Sequence, residues 1–194
     1  MILSDGDIKS AIEKRELIIT PQPPPENFSP SALDLRVGYD FKRWREMPTG
    51  ARVTINLSDA RIPEYGTFAE NVSPGHDGLI TIPREGFLLA ITLEKVRLPL
   101  RSCLAARVEG RSSFARLGLA VHITAPTVHA GFEGPIVLEI KNLGPFDLKL
   151  EPGGTRICQM IFERVCSRPQ GPLITDFQNQ ATVLGGRKRR GRRR

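Results

Sequence analysis

His129-Ala-Gly-Phe-Glu-Gly134, followed after Pro135 by Ile136-Val-Leu-Glu-Ile140, sets the character of this chain. Gly131 and Gly134 punctuate a turn, and the run after it alternates with period two. In a strand, successive side chains point to opposite faces, so Leu138 and Ile140 share one face and Glu139 points to the other. The same short, alternating signal recurs outward from this point. Ser31–Val37, Ala51–Leu57, Gly78–Ile82, Phe87–Leu93, Ala120–Thr124, Phe146–Leu150 and Ile157–Phe162 all read as strands. Gly or Pro stands at nearly every junction. That pattern predicts an all-β sandwich or barrel rather than alternating βαβ units.

One helix is expected at the start. Ser4 followed by Asp7 has the form of an N-cap with an acidic first turn, and Ile8, Ala11 and Ile12 fall at helical spacing, so the helix should end near Arg15. Pro21, Pro23, Pro24, Pro25 and Pro30 make residues 21–30 an irregular connector.

The length of 194 residues, with 40% hydrophobic and 25% charged content, suits a single globular domain with one core. We read that domain as residues 1–186 and a basic tail as 187–194. The tail, Arg-Lys-Arg-Arg-Gly-Arg-Arg-Arg, holds seven of the 28 basic residues, which leaves 21 against 21 acidic ones. The net charge of +7 is therefore a property of the tail and not of the body. Like charges repel and nothing in the tail can pack, so the plain reading is a disordered, solvated end. Two sharper readings are a non-specific nucleic-acid contact and a flap over a bound triphosphate. With 6% aromatic residues and no aromatic–basic interleaving, the body is not expected to be a nucleic-acid module.

No apolar run reaches the length of a membrane span, and the start lacks the basic and apolar regions of a secretory leader. Cys103, Cys158 and Cys166 are odd in number and lack CxxC spacing, which favours reduced thiols. A cytoplasmic protein without membrane partners is the expectation. No HExxH, no HxE…PCxxC, no GxGxxG and no GxxxxGK[ST] is present, so a protein-held zinc, a dinucleotide fold and a P-loop are not expected.

Chemistry concentrates in Arg107-Val-Glu-Gly-Arg-Ser-Ser-Phe-Ala-Arg-Leu-Gly-Leu119. After the Gly110 turn, backbone N–H groups and the hydroxyls of Ser112 and Ser113 are available to a phosphate, and Arg111 and Arg116 carry planar forks suited to phosphate oxygens. The alternative is a short helical Ser-Phe-Ala-Arg-Leu segment with surface arginines. Glu139 is either a solvent-facing or paired carboxylate, or a desolvated acid able to move protons to and from water. His122, between Val121 and Ile123, reads as a hydrogen-bonded strand histidine. His76-Asp77-Gly78 reads as a loop turn.

Most of the chain resembles the dCTP deaminases, within the dUTPase-like trimeric superfamily. The resemblance lies in Met1–Ile8, Pro30-Ser-Ala-Leu-Asp-Leu-Arg-Val-Gly38 and Gly86–Pro99, and most specifically in Glu109-Gly-Arg-Ser-Ser-Phe-Ala-Arg-Leu-Gly-Leu119. It continues through Phe132-Glu-Gly, Val137-Leu-Glu-Ile140 and Gly154-Thr-Arg-Ile-Cys-Gln-Met-Ile161, and faintly through Phe177-Gln-Asn-Gln180.

The resemblance implies a dUTPase-like distorted β-barrel or jelly roll with a short N-terminal helix, assembled as a homotrimer with sites between subunits. It implies hydrolytic deamination of dCTP to dUTP and ammonia, with Glu139 as general acid and base and with Ser112 and Arg116 beside the reacting nucleotide. Arg111, Ser113, Thr127, His129 and Gln159 become substrate contacts. The Ala125 carbonyl becomes a support for the attacking water, and Gln180 a closure over the phosphates. Magnesium is implied only on the triphosphate. Where the family's hairpin carries an aspartate this chain has His129, and Thr127, Pro126 and Leu184-Gly-Gly186 also depart from its pattern. A dUTPase, a bifunctional deaminase–diphosphatase and a catalytically silent nucleotide-binding homologue are the alternatives.

Overall fold

The structure, a computed structural model, describes residues 1–58, 62–173, 175, 177–180 and 182–185. The basic tail lies outside the described residues. Helix α1 (Asp5–Glu13) begins as its residues dictate: the Ser4 hydroxyl accepts from the Asp7 amide at 3.2 Å while the Asp7 carboxylate accepts from the Ser4 amide at 3.2 Å. This reciprocal cap satisfies two otherwise orphaned donors. Ile8 and Ala11 bury its inner stripe, and Arg15 leaves the helix at a φ of 56°.

After α1 the regular structure is mainly strand. The strands are β1 (Ile18–Thr20), β2 (Phe28–Ser29), β3 (Ala32–Trp44), β4 (Ala69–Asn71), β5 (Ile80–Ile82), β6 (Phe87–Arg97) and β7 (Leu104–Gly110). A one-turn helix α2 (Ser112–Ala115) precedes β8 (Leu119–Ala120), β9 (Thr127–Val128), β10 (Glu133–Asn142), β11 (Leu148–Leu150) and β12 (Arg156–Arg164). Ten strands form one sheet in which β8, β10, β6, β3, β12, β7 and β9 are successive neighbours, with β1 added at β6 and β2 and β4 at β3. β5 and β11 form a separate antiparallel pair. The expected mainly β architecture is the fold, one ten-stranded sheet with a separate two-stranded pair.

β3 turns the sheet's corner. Its residues 33–36 pair with β12, and Val37, Phe41 and Lys42 pair with β6 across a register shift. Gly38 sits at that shift, where a Cβ would stand 3.0 Å from the Ile91 carbonyl oxygen. Irregularities of this kind let one strand serve two halves of a sheet. The core fills the interior with Leu33, Leu35, Val37, Leu138, Ile140, Ile157 and Phe162, all essentially without solvent contact. Glu94 is equally buried. Its carboxylate accepts from the Arg36 amide and guanidinium, each at 2.8 Å, which satisfies the charge where it lies.

Two sequence expectations fail. Residues 51–57 alternate but form no strand: β3 pairs instead with β4 beyond this excursion, and 51–57 lie exposed, outside the sheet. The strand expected over 120–124 shrinks to Leu119–Ala120, because the segment that follows bends toward Pro126, which has no amide to give a ladder.

At the end of β10, one buried side chain organises the neighbouring turns. Asn142 accepts from the Gly144 amide at 3.0 Å and donates to the carbonyls of Ile82 (3.1 Å), Pro83 (3.1 Å) and Phe146 (2.7 Å). Next to it Gly118, with φ of 89°, passes so close to Gly144 that a Cβ would fall 2.3 Å from the Gly144 nitrogen. Asn142→Ala leaves these partners unmet and is expected to cost about 2–3 kcal/mol. Asn142→Asp, which turns an acceptor toward three carbonyls, is expected to cost at least as much. Denaturant unfolding of both variants checks this, and a loss below about 0.5 kcal/mol in either would contradict it.

Candidate functional site

β10 alternates as its sequence demands. Leu138, Ile140 and Asn142 point into the core, while Val137, Glu139 and Lys141 form the half-buried opposite face. Pairing to β6 sets Glu139 opposite Leu89. Phe87 and Leu89 of β6 and Val137 of β10 line a cavity of about 500 Å³, and among the described residues Glu139 is the one carboxylate lining it. Its wall comes from His122, Ala125, Thr127 and His129, and its far side from Leu173, Thr175, Phe177, Gln180 and Val183. The lining is mostly apolar, and among the described residues no Lys or Arg belongs to it. A deep, largely apolar space with a few convergent polar groups is the usual form of a small-molecule site.

Burial in these apolar walls pushes the Glu139 carboxyl above its ordinary range. The Ile123 amide, Glu139's own amide and the nearby His122 pull the other way with smaller effect. The cost of ionising the acid here is therefore not fully repaid by local partners.

Of the residues singled out from sequence, the cavity brings together Ala125, Thr127, His129, Glu139 and Gln180. Gln180 is 6% exposed and donates from Nε2 to the Pro135 carbonyl at 3.0 Å, while its Oε1 is buried with no partner. The segment around it is held to the body by further bonds, among them the Asn179 amide donating to the Glu133 carbonyl at 2.7 Å. Gln178 donates to the Gly131 carbonyl (2.7 Å) and accepts from the Glu133 amide (2.8 Å), and the Val183 amide donates to Asp40 (2.9 Å). Val183 also packs with Leu89 and Ile91.

The other candidates sit elsewhere on the chain. Ser112, Ser113 and Arg116 are exposed on α2, which is indeed the short helix that the sequence offered as an alternative. Arg111 is three-quarters covered. Its guanidinium lies 3.5 Å from the Asp34 carboxylate, donates to the Arg156 carbonyl at 3.1 Å and stacks over the Phe114 ring at 5.5 Å. Gln159 also meets Asp34, with Nε2 donating to Oδ1 at 3.2 Å. Within one chain the candidates therefore form two groups, one around the cavity and one around Asp34.

His122 corrects the sequence reading. It lies on no strand, its Nδ1 is buried without a hydrogen-bond partner, and the residue lines the cavity beside Glu139. Alternation of Val121-His-Ile concealed this. The signal that pointed the other way was Pro126 close downstream. His76 and Asp77 form the expected turn, closed by Gly78 at φ of 76°. The three cysteines are free thiols, and burial pushes the Cys158 thiol well up, with Glu94 and Asp34 adding to the effect. Among the described residues no helix is long and apolar enough to cross a membrane.

A family model described as dCTP deaminase-like matches residues 2–165. A protein of Methanobrevibacter smithii named "dCTP deaminase, dUMP-forming" is 39% identical over 172 residues, covering 88% of this chain and 84% of the relative. One of the same name from Persephonella marina is 38% identical over 187 residues, covering 96% and 97%. A Haloarcula marismortui protein named "dCTP deaminase" is 35% identical over 175 residues, covering 88% and 86%. In fold, the chain is similar to the crystal structure of 2′-deoxycytidine 5′-triphosphate deaminase from Agrobacterium tumefaciens, with a TM-score of 0.62 at 23% identity. That match covers 84% of this chain and 47% of the Agrobacterium one.

Because the folded chain holds Glu139 above its ordinary value, its ionised form destabilises the fold at pH well above the carboxylate range. That cost fades as the pH falls through the range. Glu139→Gln is therefore expected to raise the Tm at pH 7 to 8, with the difference from the unsubstituted chain closing below about pH 4. Thermal melts across pH test it, and a Glu139→Gln chain less stable at pH 8 would contradict the desolvation argument.

Proposed function

The chain belongs to the dCTP deaminase-like family, and on that premise we propose that its cavity hydrolyses the 4-amino group of dCTP. The observation that carries this reading is Glu139, desolvated in a mostly apolar cavity where it is the one carboxylate among the described lining residues. A raised carboxyl suits an acid that must both take and return a proton near neutral pH. As water adds to C4 of the cytosine, Glu139 accepts a proton from it. The tetrahedral carbon then carries both the new oxygen and the amino group. That proton passes from Glu139 to N3, which has taken up the electron pair of the C4=N3 bond. The new hydroxyl's proton then passes through Glu139 to the amino nitrogen, the C–N bond breaks as C4=O forms, and ammonia leaves a uracil ring. The Ala125 carbonyl, on the cavity wall, supports the water, and the unpartnered His122 Nδ1 and Gln180 Oε1 are available to the nucleotide's polar groups.

A mostly apolar cavity with no cation among its described lining residues does not by itself balance a triphosphate. Ser112, Arg116, Arg111, Ser113 and Gln159 carry that chemistry but stand away from the cavity on the same chain. The reading that unites them is a homotrimer in which α2 of one subunit completes the cavity of its neighbour. Leu117 beside α2, with Leu143 and Phe146 near it, is solvent-exposed in the single chain at 43%, 70% and 59%, a surface suited to such burial. Magnesium would enter on the phosphate oxygens. The fit favours this, since one carboxylate and two imidazoles line the cavity and no cluster of three His, Cys, Asp or Glu able to grip an ion occurs among the described residues.

The relatives' names shift the product. The sequence put dUTP first, whereas the relatives from Methanobrevibacter and Persephonella are named dUMP-forming, so we place dUMP first and dUTP second. Removing diphosphate requires a second water to attack phosphorus. The exposed His129, on the cavity wall, stands where the family pattern has an aspartate.

Incubating the full chain with magnesium and dCTP, then separately with dUTP, tests both points. Ammonia from dCTP is expected, reduced at least 100-fold by Glu139→Gln, and near-full activity in that variant overturns the mechanism. Diphosphate with dUMP supports the first product, and dUTP accumulating without diphosphate supports the second. Calorimetric binding of dCTP without turnover would make the chain a silent nucleotide-binding homologue.

A further inference from the structure

The most connected charge outside the cavity is Asp34, and nothing in the deamination chemistry uses it directly. Three antiparallel strands bring its surroundings together. β3 places Asp34 opposite Gln159 of β12, and Gln159 stands opposite Glu109 of β7, two residues before Arg111. The Asp34 side chain is 4% exposed. One carboxylate oxygen accepts from Gln159 Nε2 at 3.2 Å, and the other faces the guanidinium groups of Arg111 at 3.5 Å and Arg156 at 3.7 Å. Arg156 is tied in turn to the Glu26 carbonyl at 2.9 Å, and Asn27 donates to the Asp34 carbonyl at 3.1 Å.

One buried carboxylate thus faces two guanidinium groups whose outer surfaces are 25% and 39% exposed. The cluster keeps one net positive charge, held in a fixed geometry at the foot of α2. Guanidinium forks bind phosphate oxygens best when their plane is set beforehand, because less side-chain freedom is then lost on binding.

We propose that Asp34 is a positioning residue for the triphosphate: it fixes Arg111 and Gln159, and lends Arg156 as a further cation, without touching the nucleotide itself. This rests on reading Arg111 and Gln159 as nucleotide contacts. Asp34 works by orientation, since as a bare charge it repels phosphate. The two roles therefore predict opposite signs when the charge is removed.

Asp34→Asn is the test, because the substituted amide keeps an oxygen for Gln159 Nε2 but no longer holds the arginines. Magnesium tripolyphosphate binding by calorimetry is expected to weaken about 10-fold, and KM for dCTP to rise about as much while kcat stays within about twofold. Unchanged or tighter tripolyphosphate binding overturns the proposal, as does a fall in kcat and Tm with KM unmoved. An unsubstituted chain that binds no tripolyphosphate overturns it too. If Asp34→Asn does not fold, the doubly substituted Asp34→Asn, Arg111→Gln chain is compared with Arg111→Gln alone. Equal affinity is expected, and a further fivefold loss in the double variant refutes positioning through Arg111. If the unsubstituted chain binds tripolyphosphate yet releases no ammonia from dCTP, the deaminase reading fails, and the binding comparison still decides the role of Asp34.

Discussion

The corner in β3 is the constraint from which the rest follows. A strand of thirteen residues is shared between two halves of one sheet, and the hand-over happens at Gly38, where a Cβ would press on the backbone of Ile91 and Thr92. On one side of that corner β3 braces β6, the strand beneath Glu139. On the other it braces β12, and through it β7 and α2. The two groups of candidate residues are thus not independent decorations. They hang from opposite arms of one strand, and the buried Arg36–Glu94 pair ties the arms beside the bend.

This arrangement explains why polar groups are buried where they are. Asp34, Glu94 and Asn142 each lie inside, and each is satisfied by strands or turns distant in sequence. Removing one partner of such a group costs more than the contact itself contributes, so these residues specify the geometry more than they add to stability. Glu139 is the contrast. Its environment leaves the charge only partly compensated, and that imbalance is what general acid–base chemistry draws upon.

Much of this was legible in the residues. The capping box at Ser4 and Asp7 gave α1, and strict alternation in Ile136–Ile140 gave both the strand and the face of Glu139. Alternation misled at 51–57, because period two states only that a segment suits a sheet and says nothing of whether an edge is free to receive it. It misled again at His122, where a bend replaced the strand and turned the ring toward the cavity. The role of Asp34 was beyond reach for a different reason. Its partners lie 77, 122 and 125 positions away in the chain, and only register across three strands makes them neighbours.

Thr127 and His129 stand exposed on a wall anchored by a strand of only two residues, while Val128 between them packs inward. The fold asks nothing of those two side chains. Substitution there is close to free in stability, which makes this short rim the part of the protein where inheritance can try new chemistry without first risking the scaffold.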